Sequence, residues 1–473
     1  MAKRSWSLRT KYQNTMITYV TGASGFLGSH LVNKLENPIT IPHDQIQTTS
    51  LKDFDYFYFL SSYGNLSFQT EDDLIFKANV SDLISILFKV NWAKVKSFVY
   101  ISSSSVTLPI QTMYSRCKRA AEEILLSFAE KYKAPICIVR PFSITGVGEQ
   151  KVHLIPRLIE SCLEGTPVEF IGSPRHDYID VEDVIDGLLT LSRAGAKGIY
   201  ELGTGKSYSN LEVLHIIEKI TGKKANIKPG KARAYDSKDW VSRDLSARKY
   251  HWAPKIKFRE TLDKMVSVEM RKLERRIIDI SYKRNLTHIS SCLNAVKIID
   301  KIYEAMGPND KFVLSQGHAF LAQAVVLEKR FGLDAEKLSE EHEAHPSRNV
   351  KEGIWVSTGS LGQGLAIAVG MALADKKRNI YVVSSDGEMA EGICWEALRV
   401  AGEQKLTNLK VTVIANGYSA YGETDVNLLE KRLNTFHPTE VVRVDTSAYP
   451  DFLHDYHGHY VKLDETKYKE LIK

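Results

Sequence analysis

The sequence predicts an α/β protein: a doubly wound parallel sheet followed by a second α/β domain. Three observations lead there. Short β-rich runs alternate with helical stretches along the chain, which implies βαβ units and parallel strands. Two strand-to-turn junctions of different design, VTGASGFLG at 20–28 and SSDGEMAEG at 384–392, each suit a phosphate group. At 473 residues the chain is longer than one ordinary domain.

The elements follow in order. The basic start, MAKRSWSLRTKYQ, has no apolar run behind it and reads as a solvated arm over 1–15, not a secretory leader. Within 16–266, MITYV, YFYFLSS, SFVYISSSS and ICIVRPFSI read as strands and RAAEEILLSFAEKY as a helix. The charged stretch at 260–284 reads as helical, with the junction near residue 268 and a linker helix over 267–284. In 285–473 come a helix at 290–305, KFVLSQG, a helix at 320–331, the strand NIYVVSS, a helix around CWEALRVAGE and the strand LKVTVIAN. This is a second α/β unit.

Composition excludes several classes. A net charge of +6 is small for this length, and no Lys/Arg block is dense enough to follow a nucleic acid backbone. No apolar run approaches the ~20 residues that span a bilayer. The five cysteines are odd in number, scattered and without a C-x-x-C pair. Free thiols in a reducing cytoplasm are expected, and neither a zinc site nor a disulfide framework.

The first junction runs from a strand through Gly22, Gly25, Phe26, Leu27 and Gly28 into a helix, with G-x-x-G-x-x-G spacing. Glycines let a pyrophosphate approach the backbone, and the helix start offers free N–H groups. An empty glycine-rich turn is the bland alternative; a strand before and a helix after favour a dinucleotide. Tyr114 and Lys118, at i and i+4, share a helix face. An ammonium beside a phenol favours the phenolate. Ser103 ends the strand FVYISS and is placed to hydrogen-bond the same substrate oxygen. No arginine follows the glycine turn or the second strand, which favours NAD over NADP; Asp44 is a candidate for the ribose.

With these residues, 16–266 resemble an extended short-chain dehydrogenase/reductase of the nucleotide-sugar epimerase/dehydratase family. RPFSITG at 140–146, RHDYIDVEDV at 175–184 and YELGTGKSYSNLEV at 200–213 add to the match. The resemblance implies a Rossmann-type sheet, NAD, and a sugar-nucleotide substrate under a lobe formed mainly by 145–266. It implies Tyr114 as proton-transfer residue, Lys118 on the nicotinamide ribose and Ser103 positioning the reacting oxygen. Arg175 and Arg233 are candidates for the substrate diphosphate. The segment between Ser103 and Tyr114 is shorter than in the family. Ser104 and Ser105 stand where 4,6-dehydratase members carry acidic residues, so epimerisation or oxidation/reduction is expected rather than dehydration.

At the second junction, NIYVVSS delivers Asp386 to a strand end, and VTVIAN delivers Asn416 to another. With the Tyr418 carbonyl they make an oxygen set for Mg²⁺, completed by diphosphate oxygens. Ordinary helix capping by Asp386 is the alternative for D-G-E alone. THISSCLNAVKIID, LSQGHA, HP, STGSLGQGLAIAVGMALA and DGEMAEGICWEALRVAGEQKLTNL occur in order. Together they resemble the N-terminal half of transketolase over nearly all of 275–473. The resemblance implies a thiamine diphosphate-binding domain, with Asp386, Asn416 and Tyr418 on Mg²⁺. It places Gly387 and Glu388 at the diphosphate and Gly359, Ser360 and Leu361 along the thiamine. His288, His318 and His345 match the histidines that handle substrate hydroxyls, and His457 a later one. Ser385 replaces the first glycine of the family's G-D-G. The pyrimidine-binding half is expected from a transketolase C-terminal-half subunit, in an assembly with a homodimer core or in an α₂β₂ heterotetramer.

The expected function is bifunctional: NAD-dependent chemistry on a sugar nucleotide, and thiamine diphosphate-dependent transfer of a two-carbon ketol unit. The alternative is an NAD-dependent epimerase/dehydrogenase whose transketolase-like domain only supports oligomerisation.

Overall fold

The computed structural model describes residues 16–472 apart from 67, 234, 235, 238, 420, 421, 448, 455 and 456. The arm expected over 1–15 lies outside the described residues. The chain divides into two compact units between Met270 and Arg271.

The first unit is built on six strands: β1 (Thr18–Thr21), β2 (Ile39–Ile41), β3 (Tyr56–Phe59), β4 (Ser97–Ile101), β5 (Ile136–Pro141) and β6 (Gly198–Leu202). They are all parallel, in the order β2-β1-β3-β4-β5-β6. YFYF, SFVYI and ICIV are almost continuously apolar because both faces of the sheet are covered. Val20, Tyr58, Val99 and Val139 face Leu188 and Leu191 on one side. Phe57, Phe59, Phe98 and Tyr100 face Leu83 and Leu125 on the other. From β1 the chain goes to one neighbour, then crosses to the other. That reversal opens a crevice at the carboxyl ends beside β1.

Helix α1 (Phe26–Val32) follows the glycine turn, and α2 (Met113–Tyr132) carries Tyr114 in its first turn. The Thr112 side chain accepts the Ser115 N–H and caps α2. ICIVRPFSI is not one strand. β5 ends at Pro141, and Ser143–Thr145 joins Arg175–Asp180 and Ser207–Ser209 in a small separate sheet. The chain therefore leaves the main sheet at Phe142.

The charged stretch at 260–284 is two helices, α3 (Phe258–Met270) and α4 (Lys272–Arg284), broken at Arg271 (φ −94°, ψ 4°). α3 buries Phe258, Leu262 and Val266 in the first unit, and α4 buries Ile277, Ile278 and Ile280 in the second.

The second unit has four parallel strands in simple order: β7 (Lys311–Leu314), β8 (Ile380–Ser385), β9 (Leu409–Ala415) and β10 (Thr439–Arg443). Helices α5 (Ile289–Ala305), α6 (Gln363–Ala374) and α7 (Gly392–Glu403) pack on it. D-G-E does not open a helix. Glu388–Ala390 form a 3₁₀ turn, and α7 starts only at Gly392. Among the described residues no helix is long and apolar enough to cross a membrane. All five cysteines are buried free thiols.

Gly28 is fixed by close approach: a Cβ there would lie 2.0 Å from the Gly22 carbonyl oxygen, against 3.3 Å at Gly25. Gly28→Ala is expected to cost about 1–3 kcal/mol through overpacking and to weaken NAD⁺ binding; Gly25→Ala should do less. Thermal melts with and without NAD⁺ measure both.

Candidate functional site

In the first unit a cavity of about 640 Å³ opens at the carboxyl ends of β1, β3, β4 and β5. Gly22, Gly25, Phe26, Leu27 and Gly28 line it together with Ser103 and Tyr114. The Ser62 and Ser103 hydroxyls act on the Tyr114 hydroxyl in favour of its phenolate. Ser62 donates to the Asn79 side-chain oxygen at 3.1 Å, and the Ser103 hydroxyl is hydrogen-bonded to that of Ser105 at 2.8 Å. Lys118 does not reach the cavity wall. It is 1% exposed, and its Nζ donates to the Ile101 carbonyl at 2.8 Å. The same nitrogen lies 5.8 Å from the Tyr114 ring centroid and 4.8 Å from that of Tyr100. Burial pushes the Tyr114 phenol up and the Lys118 ammonium down to about 7, against the pull of Glu122 on the lysine.

Some contributors have no local signature. Ser62 follows β3, and Trp240 donates its indole N–H to the Ser104 hydroxyl at 3.1 Å. Gln150 and His153 also line the cavity. The two arginine candidates lie elsewhere. Arg175 binds Ser207 and pairs with Glu212 at 3.0 Å, and Arg233 pairs with Asp236 at 3.2 Å. Asp44 is exposed in a 3₁₀ turn after β2 and is not part of the lining.

In the second unit a cavity of about 480 Å³ lies at the carboxyl edge of β7–β9. Asp386, Gly387, Asn416, Tyr418, Gly359 and Leu361 line it, with His288, His318 and His345. Asp386 is not a helix cap. One carboxylate oxygen accepts the Gly387 N–H at 3.0 Å and the other the Gly417 N–H at 2.9 Å. Burial raises this carboxyl to about 6. The Asn416 side-chain oxygen accepts the Tyr418 N–H at 3.0 Å. Ser385 turns its hydroxyl back to accept the Glu388 N–H at 3.3 Å.

Two expected contacts face elsewhere. Ser360 is exposed outside the lining. Glu388 is fully buried beneath the cavity. Its carboxylate accepts the Ser315 hydroxyl (2.9 Å), the Gly362 N–H (2.8 Å) and the Ser384 hydroxyl (2.7 Å). It ties three segments together instead of meeting a ligand.

The histidines form one cluster. Ring centroids are 5.5 Å apart for His288–His318, 6.4 Å for His288–His345 and 4.3 Å for His288–His459. His459, which no motif marks in the sequence, thus joins the cluster; the side chain of His457 lies outside the described residues. A left-handed backbone at His288 (φ 64°) starts α5, and the His288 N–H donates to the His459 carbonyl at 2.9 Å. A Cβ on Gly359 would come within 3.1 Å of the His345 ring, so glycine lets that turn meet the cluster. Burial lowers His288 to about 4 and His318 to about 3, and the neighbouring histidines add to both shifts. Burial also lowers His459. These three rings are therefore neutral at pH 7, able both to donate and to accept.

Polar atoms remain to be matched around this cavity. The Asn294 side-chain oxygen, the Gln316 side-chain nitrogen and the Thr358 hydroxyl are buried without a hydrogen-bond partner. Asn294 and Gln316 line the cavity, and Thr358 precedes Gly359. Carboxylate and amide oxygens at strand ends, beside buried donors, fit a divalent cation with a diphosphate.

Glu388→Ala leaves two hydroxyls and one backbone N–H without their acceptor. A loss of roughly 3 kcal/mol or more is expected, read as a lower urea midpoint of the second unit. The histidines set a pH dependence. Their ordinary value is 6.5, and in the fold it falls to about 4 and about 3. At these histidines the unfolded chain binds more protons below pH 6.5, so their contribution to stability rises with pH there, while the raised carboxyl of Asp386 opposes it below about 6. The urea midpoint of the wild type relative to His318→Gln should therefore fall as pH drops from about 6.5 to about 4, a difference that isolates the histidine contribution.

Comparison with known proteins gives a two-part result. Residues 38–203 match the NAD dependent epimerase/dehydratase family, and residues 300–448 match the transketolase, thiamine diphosphate binding domain. One of the subunits of apulose-4-phosphate transketolase from Phocaeicola vulgatus is 32% identical over 186 residues, covering 35% of this chain and 64% of that protein. Transketolase of Mus musculus is 36% identical over 178 residues, covering 32% of this chain and 28% of that protein. The chain thus spans less than two thirds of either relative. The structure of MoeE5 in complex with UDP-glucose and NAD superposes with a TM-score of 0.51 at 26% identity, over 54% of this chain and 99% of that one. MoeE5 in complex with UDP-glucuronic acid and NAD gives 0.50 at 26% identity, with the same coverage of 54% and 99%. This chain is therefore a fusion of an NAD dependent epimerase/dehydratase family domain with a transketolase thiamine diphosphate binding domain.

Proposed function

We propose a bifunctional nucleotide-sugar enzyme. The first domain oxidises, reduces or epimerises a sugar nucleotide at one carbon with NAD. The second, completed by a separate pyrimidine-domain subunit, transfers a two-carbon ketol unit with thiamine diphosphate and Mg²⁺. The observation that carries this reading is shared by both cavities: each joins a phosphate-binding turn to a group that can move or hold a proton.

In the first domain, bound NAD would supply the hydride acceptor or donor. The remaining work belongs to the chain. The turn from Gly22 to Gly28 leaves room for a pyrophosphate against the start of α1. Ser103 and Ser62 hold the substrate oxygen beside the Tyr114 hydroxyl. As the substrate carbon loses hydride, the phenolate of Tyr114 takes the hydroxyl proton; reduction returns it. Burial opposes that phenolate. Lys118, with its ammonium 5.8 Å from the ring centroid, is the cation that favours it. The UDP-sugars bound by MoeE5 support a sugar nucleotide as substrate.

In the second domain, thiamine diphosphate would supply carbanion stabilisation. Asp386, Asn416 and the Tyr418 carbonyl would hold Mg²⁺, with Gly387 beside the diphosphate and Gly359 and Leu361 beside the thiamine. The neutral histidines would bind and orient substrate hydroxyls. A partner chain is supported by the Phocaeicola relative, which is named as a subunit of its enzyme; the proposed assembly has a homodimer core or is an α₂β₂ heterotetramer. Buried free thiols suit the cytoplasm. A keto-sugar made by the first domain is a chemically suitable ketol acceptor for the second.

Calorimetric titration with NAD⁺, and with thiamine diphosphate plus Mg²⁺, tests both halves, alone and with a transketolase C-terminal-half protein from the same genome. NAD⁺ should bind the chain alone. Tyr114→Phe should retain that binding and lose about 10²–10⁴-fold in sugar-nucleotide turnover. Thiamine diphosphate should bind tightly with the partner present. Failure to bind it under either condition, while NAD⁺ binds, removes the ketol-transfer half.

A further inference from the structure

We infer that Gln316 donates a hydrogen bond to the diphosphate of the ligand held in the second cavity, which presupposes that this cavity is a thiamine diphosphate site. One buried donor in its lining is unmatched: Gln316 is 3% exposed, and its side-chain nitrogen has no partner. An amide N–H is only a donor. A buried donor without an acceptor costs stability, and in a cavity wall it marks where a ligand supplies the acceptor.

The place of the residue identifies the end of the ligand. β7 and β8 run parallel, with Leu314 paired to Val383. β7 ends there; the Ser315 N–H still donates to the Val383 carbonyl at 2.8 Å, and Gln316 follows as the chain turns off the carboxyl edge, on which Ser385 ends β8 and Asp386 comes next. All three line the same cavity with Gly387. Gln316 is therefore at the acidic turn, where the cation and diphosphate would sit.

The protein offers few acceptors at that place, and the unpaired Asn294 oxygen makes no hydrogen bond to the Gln316 nitrogen. Both Asp386 oxygens take backbone N–H groups. Glu388 takes two hydroxyls and the Gly362 N–H. The Ser385 hydroxyl accepts the Glu388 N–H. A phosphate oxygen is the strongest remaining kind of partner, since hydrogen bonds to anionic oxygen are short and strong.

The backbone on both sides is held. A Cβ on Gly317 would lie 2.8 Å from the Thr358 carbonyl carbon, and one on Gly364 would lie 2.5 Å from the Ser315 Cα. Residues 315–317 are wedged between those segments, so the Gln316 side chain has a fixed origin. This is a preorganised donor, retained at some expense to the unliganded fold.

The test uses Gln316→Met, which keeps the shape and removes the polar atoms, and Gln316→Glu, which reverses the preference. The full chain is assayed together with the transketolase C-terminal-half protein. Thermal melts without ligand are paired with titrations of thiamine diphosphate and of inorganic pyrophosphate, both with Mg²⁺. Gln316→Met should melt as high as the wild type or a few degrees higher, and should bind both probes about 10-fold more weakly. Gln316→Glu should weaken both further. Unchanged affinity of Gln316→Met for both probes overturns the inference. Weakened thiamine diphosphate with intact pyrophosphate also overturns it, because the contact is then not to the diphosphate. If the wild type binds neither probe, the cofactor reading of the cavity falls, and this inference with it. The wild-type and variant titrations therefore separate the two failures.

Discussion

Parallel strands leave only one productive edge, and both cavities follow from that constraint. Successive parallel strands need crossovers, and the crossovers cover both faces of the sheet. Chemistry is left the carboxyl edge, where the strands release their last residues into loops. In the first unit the strand order reverses beside β1, so the crevice is a product of the topology itself. The second unit has no such reversal among its described strands. Its cavity is instead closed by loops that carry His288, Gln316, His345, Gly359 and His459. Loops alone would not hold that geometry. Glu388 holds it, because one buried carboxylate joins the end of β7, the start of α6 and the end of β8.

The two units treat buried charge in opposite ways. Glu388 is a buried acid whose carboxylate is met by hydroxyl and backbone N–H donors, and burial raises its carboxyl. Lys118 is a buried cation with a carbonyl partner and two aromatic rings, and burial lowers it to about 7. Each would be costly to desolvate unpaired. Each is kept in place by hydrogen bonds to groups at strand ends, joined for Glu388 by the Gly362 N–H at the start of α6. The result in both sites is a functional surface whose supports are fixed before any ligand arrives, which is what positioning within a fraction of an ångström requires.

What could be read from the sequence was local. The glycine turn, the Tyr114–Lys118 spacing and the Asp386 and Asn416 strand ends are each encoded within a few residues, and the fold brings all of these groups but Lys118, which is buried behind Tyr114, to a cavity lining. Contributions from long range were hidden. Ser62 and Trp240 meet Tyr114 and Ser104 only through the crossovers, and no spacing marks them. Glu388 sits in the expected motif but points inward, because a 3₁₀ turn intervenes before α7. Periodicity also blurred boundaries. The charged run at 260–284 keeps a helical pattern through Arg271, while its two halves bury against different cores. Similarly, ICIVRPFSI stays apolar while the chain changes sheets at Phe142.

Ser385 is the departure that most favours a second domain without a ligand, since a side chain stands where the family has glycine. The geometry weakens that objection. The serine hydroxyl accepts the Glu388 N–H, so it supports the turn. A Cβ at Gly387 would meet only that hydroxyl, 3.6 Å away, so the approach to the turn stays open. A domain kept only as a scaffold would gain by filling this cavity with apolar side chains, because buried donors and acceptors without partners and neutral histidines held against their ordinary pKa all reduce stability. Instead Asn294, Gln316 and the histidine cluster remain. The proposed function would give them a bound anion and a polyhydroxylated substrate to meet.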